Sequence, residues 1–195
     1  MTGAGPAAVV CTDAGCGCAD GRRRDGGHPY HVRPLELGAD RVLQSAPKFL
    51  KGHGDVLDEL PALADPRLRE ELAQQRTDAG TILTPAREWL LLRGLRTFAL
   101  RMERASATAA HLADWLAGQG MTVHYPGRPD HPQHAAATAQ YSNGFGPMLS
   151  FLMGTAAPAD AVVEAVRIFR RATSLGSTES LIERRPATEG PTLPR

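Results

Sequence analysis

At 195 residues the chain is long enough for one domain of ordinary size, or one and a part. Its 42% apolar and 22% charged residues are normal for a soluble globular protein, and a net charge of +1 excludes a general attraction to nucleic acid or a membrane surface. With aromatic residues at 5%, the core must be built mostly from Leu, Val and Ala. No apolar run approaches the roughly 20 residues a membrane span needs. The N-terminus also lacks the basic segment and apolar stretch of a signal peptide. Cys11, Cys16 and Cys18 cluster near the N-terminus, so a disulfide scaffold is not expected and a reducing cytoplasmic setting is.

Residues 1–33 are rich in Gly, Ala, Arg and Asp and carry the solvated charge run Arg22-Arg23-Arg24. They predict at most one strand, over Ala7–Val10, and otherwise loop or disorder. The three cysteines with His28 or His31 could in principle ligate zinc, but their spacing is irregular and inert thiols are the simpler expectation. Arg41–Ser45 reads as a short, buried parallel strand, broken by Ala46-Pro47-Lys48. His53–Leu57 reads as a further strand, with Pro61 and Pro66 punctuating a loop. Arg67–Arg76 is a predicted helix with Leu68 and Leu72 four apart. Thr84-Pro85 starts another, because Thr can cap free amides and Pro is tolerated at the first helical position. The apolar pattern then continues through Trp89, Leu95, Met102 and Leu112 to Gly118, with Gly94 dividing it into two helices.

Met121–Tyr125 alternates like a strand and is stopped by Pro126-Gly127. His124, His131 and His134 lie in a proline-rich stretch that reads as a solvated loop, not a metal site. Met148–Met153 is a further predicted strand. Ala159–Arg171 is a predicted helix with Val162, Val163, Val166 and Phe169 on its apolar side. The last 12 residues, with three prolines, read as a frayed tail. The second half is thus helix–helix–strand–strand–helix, a small α/β layer domain.

Three segments carry a resemblance to a known family. The first is Pro34 to Asp40 (Pro-Leu-Glu-Leu-Gly-Ala-Asp), followed by Ser45 to Asp55 (Ser-Ala-Pro-Lys-Phe-Leu-Lys-Gly-His-Gly-Asp). The second runs from Thr84 to Gly127 and contains Leu-Arg-Gly-Leu-Arg-Thr-Phe-Ala-Leu-Arg-Met-Glu-Arg at 92–104. The third comprises Gly144 to Phe151 and Ser174 to Glu183 (Ser-Leu-Gly-Ser-Thr-Glu-Ser-Leu-Ile-Glu). In this order and spacing they resemble the second half of the Cys/Met-metabolism (transsulfuration) enzymes that depend on pyridoxal phosphate (PLP), a family that includes cystathionine γ-synthase, cystathionine γ-lyase and methionine γ-lyase.

The resemblance implies an α/β chain of the fold type I, aspartate-aminotransferase-like class, incomplete. Residues 1–33 would be a non-matching segment and 34–84 the end of the large cofactor domain. Residues 85–118 would be interdomain helices, 119–183 the small C-terminal α/β domain and 184–195 a tail. Lys48 matches the lysine that holds the PLP aldehyde and moves protons at the substrate's α and β carbons. Ser45 matches a residue whose hydroxyl binds the cofactor phosphate. Ser174 matches a loop near the substrate carboxylate, although a plain turn at Ser174-Leu175-Gly176 is an equal reading. Lys51 is read as a solvated surface lysine. The implied activity is β/γ-elimination or replacement on a sulfur-containing amino acid, in a homo-oligomer with no nucleic-acid or membrane partner. The alternative is a non-catalytic remnant serving as a folded or partner-binding module.

The chain also departs from the family pattern. Pro47 stands where the family has a phosphate-binding threonine. Losing one hydrogen bond to a charged group costs about 1.5–3 kcal/mol, roughly 10- to 150-fold in cofactor affinity. The aspartate that pairs with the pyridine nitrogen would fall at Arg23, the wrong charge, or at Asp13 if residues are inserted. The Gly-rich phosphate loop and the ring-stacking aromatic belong, by the same resemblance, to a first half preceding these segments. The arginine for the substrate carboxylate would lie beyond residue 195.

Overall fold

The computed structural model describes residues 8–9 and 28–184. After β1 (Ala8–Val9), the Arg41–Ser45 run forms the expected strand, β2, but its partner runs the other way. It pairs antiparallel with β3 (Glu59–Leu63), in register from Arg41 opposite Leu63 to Ser45 opposite Glu59. An apolar strand sequence reports burial and not direction, so the parallel expectation is corrected here. The strand expected at His53–Leu57 is also displaced; residues 53–58 are irregular and β3 begins at Glu59. Pro61, expected in a loop, sits inside β3 opposite Leu43. Among the described residues β3 pairs on one side only, and an edge strand tolerates a residue without an N–H.

Helix α1 (Pro66–Asp78) opens as its sequence requires: Asp65 accepts from the Arg67 amide at 2.8 Å, and Pro66 occupies the first turn. None of its residues is buried. Most helix stability in proteins comes from packing an apolar face, so α1 is expected to exchange its amide hydrogens far faster than the long helix α3 (Phe98–Gly118), whose Met102, Ala109, Ala113 and Leu116 are buried. Equal protection of the two helices in a hydrogen-exchange time course would contradict this assignment of stability.

Helix α2 (Pro85–Leu95) starts at Thr84-Pro85 as expected, although the Thr84 hydroxyl makes no capping bond. The division between α2 and α3 falls at Arg96-Thr97, two residues beyond Gly94. The strand expected over Met121–Tyr125 is shorter, β4 (Val123–His124). Helix α4 (His134–Gln140), for which no element was expected, begins at the last residue of the His124–His134 stretch read as loop. Strand β5 (Ser150–Leu152) lies between β1 and β4 in an antiparallel sheet, with Phe151 opposite both Val9 and Val123.

The last predicted helix is shifted. Helix α5 spans Ala156–Ala165, and the chain is extended at Val166. Arg170-Arg171 (β6) then pairs parallel with Leu181-Ile182 (β7). Val162, Val163, Val166 and Phe169 still face the core, Val166 from extended backbone and Phe169 from the bend after it instead of by helical spacing. That core joins Ala109, Ala113 and Leu116 of α3 to Tyr125, Leu149, Phe151, Val163 and Ile182. A smaller cluster, Ala46, Leu50 and Leu91 with Phe98 beside it, packs the segment after β2 against α2. No helix among the described residues is long and apolar enough to cross a membrane.

Candidate active site

Lys48 lies in a single wide helical turn, Ala46–Leu50, that begins where β2 ends. The turn is kinked at Lys48 itself, whose φ and ψ are −80° and −127°. Backbone bonds from Lys51 N to Ala46 O (3.1 Å) and from Gly52 N to Lys48 O (2.8 Å) close it. The side chains of Ala46, Phe49 and Leu50 are buried, while Lys48 is half-buried. A short apolar anchor on either side thus holds a turn whose middle residue is only half-buried.

Two other segments pack on this turn through glycine. In α2, a Cβ at Gly94 would overlap the Lys51 carbonyl oxygen and stand 2.8 Å from Lys51 Cα. In the loop after β6, a Cβ at Gly176 would overlap the Phe49 amide nitrogen and stand 2.7 Å from the Lys48 carbonyl carbon. The Thr178 amide donates to Gly52 O at 2.9 Å. Ser174 is exposed and has φ of +92°, a region a serine rarely adopts. The structure therefore brings Ser45, Lys48 and the Ser174–Thr178 loop into one neighbourhood, with Ser45 buried at the end of β2.

Lys51 corrects the reading of a solvated surface lysine. It is 2% exposed and ion-paired with Asp55. Burial pulls its pKa below the ordinary lysine value, and the Arg93 charge adds to that. Lys48 and Lys51 are the chain's two lysines, and Lys51 is the fully buried one.

A second feature was not legible in the sequence. His28, His31 and Val32, placed by composition in a loop or disordered segment, are core residues. The His31 Nδ1–H donates to Ser142 O at 3.2 Å, so its Nε2 accepts from the Ser106 hydroxyl, also at 3.2 Å. Ser106 Oγ in turn accepts from the Gly146 amide at 2.9 Å, and Tyr125 donates to Gly146 O at 3.1 Å. Burial pushes the Tyr125 phenol up to about 12. His28 packs against the rings of His31, Phe49 and Phe98 at 4.7–5.4 Å, and among the described residues neither of its ring nitrogens has a hydrogen-bond partner. Burial, with the nearby His31 and Arg101 charges, lowers its pKa to about 3. Through Phe49 this nest lies directly behind the Lys48 turn.

Arg23, Asp13, Cys11, Cys16 and Cys18 lie outside the described residues. Among the described residues no group of three or more His, Cys, Asp or Glu side chains is arranged to hold a metal ion.

Comparison with known proteins gives the frame for these positions. Residues 27–191 match the family described as Cys/Met metabolism PLP-dependent enzyme. The chain is 43% identical over 156 residues to cystathionine gamma-lyase of Bacillus subtilis (strain 168), covering 79% of this chain and 41% of that protein. It is 41% identical over 157 residues to cystathionine beta-lyase of Lactococcus lactis subsp. cremoris (strain MG1363), covering 80% and 41%. Among solved structures, cystathionine gamma-lyase from yeast superposes with a TM-score of 0.82 at 35% identity, covering 88% of this chain and 45% of that one. Cystathionine gamma synthase from Xanthomonas oryzae pv. oryzae, in complex with aminoacrylate and cysteine, does so with a TM-score of 0.79 at 38% identity, covering 86% and 43%. The chain therefore spans about two-fifths of the length of these relatives and has the fold of that part of a type I PLP-dependent enzyme. With the attachment signature at 45–55, the match across 27–191 and the shared fold all agreeing, the chain belongs to the Cys/Met metabolism PLP-dependent enzyme family.

Proposed function

We propose that this chain is the lysine-bearing half of a transsulfuration-type PLP protein, whose reaction class is β/γ-elimination or replacement on a sulfur-containing amino acid. The cofactor, when bound, supplies stabilisation of a carbanion next to the substrate amine. The observation that carries the reading is the contrast between the two lysines: Lys51 is buried on Asp55, while Lys48 is half-buried at the kink of a turn packed from beneath. Lys48 is the attachment residue and holds or moves the proton at the substrate's α and β carbons. Ser45 binds a phosphate oxygen and the Ser174 loop lies toward the substrate carboxylate. An amine for an aldehyde and a hydroxyl for a phosphate fit one end of the cofactor. Pro47 adds neither a hydroxyl nor an N–H to that set. Residues 34–84 are the end of the large domain, 85–118 the interdomain helices and 119–183 the small domain, and the assembled protein is a homo-oligomer.

A second reading, a folded module that binds a partner without turnover, is favoured by the apolar residues that α2 and α3 leave exposed, Trp89, Leu92 and Leu100. Titration of the purified chain with PLP separates the two. The cofactor reading expects a saturable visible band in the wild type and in Lys51→Arg, lost in Lys48→Ala. No band, or equal bands in wild type and Lys48→Ala, overturns it and leaves the module.

A further inference from the structure

Arg101, in the first turn of α3, is tied to the Lys48 turn across 52 residues of sequence. Its Nη1 donates to Phe49 O at 2.9 Å and its Nη2 to Leu50 O at 3.0 Å, the two carbonyls that follow Lys48. The same Nη2 donates to Gly94 O of α2 at 3.1 Å, and Nε donates to the Thr97 hydroxyl at 3.2 Å. The Thr97 hydroxyl in turn donates to Gly94 O at 3.2 Å. All four of these acceptors are neutral oxygens. The guanidinium is therefore spent on backbone geometry, with no carboxylate among the partners that the described residues give it.

The fork geometry makes this more than a surface bond. A guanidinium presents its donors in one rigid plane, so bonds to two successive carbonyls and to a third from another helix fix the relative orientation of all three. Space is left for it deliberately: a Cβ at Gly52, whose φ is +80°, would overlap the Arg101 guanidinium. The turn Ala46–Leu50 has a kink at Lys48 and closes through bonds on either side of that residue. Orienting the peptides of Phe49 and Leu50 therefore orients the direction in which the Lys48 side chain leaves the backbone. A lysine ammonium at 101 could satisfy one of these carbonyls but not hold all three.

We infer that Arg101 is a positioning residue for Lys48, clamping the two peptides after it to α2 so that the amine is presented in one direction. The inference rests on the reading of Lys48 as the attachment lysine. Arg101 itself touches backbone and not the cofactor. Its role is to keep the amine where an aldehyde can reach it, which is a matter of orientation and not of folding energy alone.

With two lysines in the chain, the test has an internal reference. The purified full chain is incubated with PLP and reduced with borohydride, and the ratio of adduct on Lys48 to adduct on Lys51 is read by peptide mass spectrometry. The expected wild-type ratio strongly favours Lys48. Arg101→Met lowers it about tenfold, Arg101→Lys restores part of it, and Thr97→Val, which releases Nε and the hydroxyl's own bond to Gly94 O but leaves both Nη bonds, lowers it about threefold. Ala113→Gly, which destabilises α3 away from the turn, leaves the ratio unchanged. A wild type without preference for Lys48 sinks the attachment reading and the inference with it. A wild-type preference that survives undiminished in Arg101→Met overturns the inference alone. Should Arg101→Met fail to fold, an unchanged ratio in Thr97→Val overturns it equally.

Discussion

Gly176→Ala is expected to destabilise the chain by about 2–5 kcal/mol and to detach the 174–178 loop from the Lys48 turn. Two costs combine at this position. The backbone is in the left-handed region, with φ of +83°, where a Cβ is disfavoured. The added Cβ would also meet the Phe49 amide nitrogen, the Lys48 carbonyl carbon and Phe49 Cα, the last two at 2.7 and 2.9 Å. These are backbone atoms, so no side-chain rotation relieves the overlap. Gly38 separates the two terms. Its φ is +90°, yet nothing lies within 4 Å of its Cβ position. Gly38→Ala should therefore show only the conformational cost, about 1–2 kcal/mol. Urea unfolding of the two variants gives the overlap as the difference between them. If Gly176→Ala is no more costly than Gly38→Ala, the close packing of the loop on Lys48 is refuted.

Acid should weaken the chain through His28, starting above the range in which carboxylates titrate. The group is neutral when folded because burial, then the His31 and Arg101 charges, hold its pKa near 3, against 6.5 for the ordinary imidazole. The unfolded chain thus takes up a proton that the folded chain refuses. The stability contributed by this difference is fully present above about pH 6.5 and is lost as pH falls toward 3. At 1.36 kcal/mol per unit the whole effect is about 5 kcal/mol, of which about 2 kcal/mol should disappear by pH 5. The rings against His28 are His31 from its own segment, Phe49 from the Lys48 turn and Phe98 from α3, and none offers a carboxylate to stabilise the imidazolium. Burial lowers His31 as well, though its bonds to the backbone at Ser142 and Asn143 oppose the shift. His28→Leu should flatten the pH dependence of urea unfolding between pH 7.5 and 5. It should also raise stability at pH 7.5 by roughly 1–3 kcal/mol, because two buried nitrogens without partners are removed. Parallel wild-type and His28→Leu curves would show that another group carries the transition.

The parts of this structure that were legible in the sequence are those set by local chemistry. Thr84-Pro85 announces a helix start because the first turn can do without the proline N–H, whereas Pro66, read as part of a loop, also opens a helix, capped by Asp65. The family resemblance around Lys48 is equally local, since the residues that carry it lie within a few positions of each other. What escaped the sequence depends on segments far apart in the chain. Lys51 differs from Lys48 only by facing inward, and the counter-charge at Asp55 does not reveal which lysine is buried. His28 and His31 sit in a glycine- and arginine-rich stretch, and only α3 and the segment around Ser142 make them core residues. Gly94 was read as an interruption of the helical pattern, yet it lies inside α2; the reason for a glycine there is the approach of α2 to Lys51, which no local rule contains. The same holds for the antiparallel partner of β2, since apolar content does not encode strand direction. Arg101 looks like one more helix-surface arginine until the carbonyls of Phe49 and Leu50 are placed beside it.

The wide span of these contacts has a consequence for how the chain is made. The Lys48 turn needs Arg101 and then Gly176 to complete its packing, so it leaves the ribosome long before the residues that hold it exist. At about 5–20 residues per second, the interval between Lys48 and Gly176 corresponds to roughly 6 to 26 seconds of synthesis. Contacts of this separation also pay their loop-closure entropy before they return any stability. The turn that carries Lys48 is thus completed late in folding, and a nascent chain interrupted before the 174–178 loop would hold it by the Arg101 bonds without the packing of Gly176.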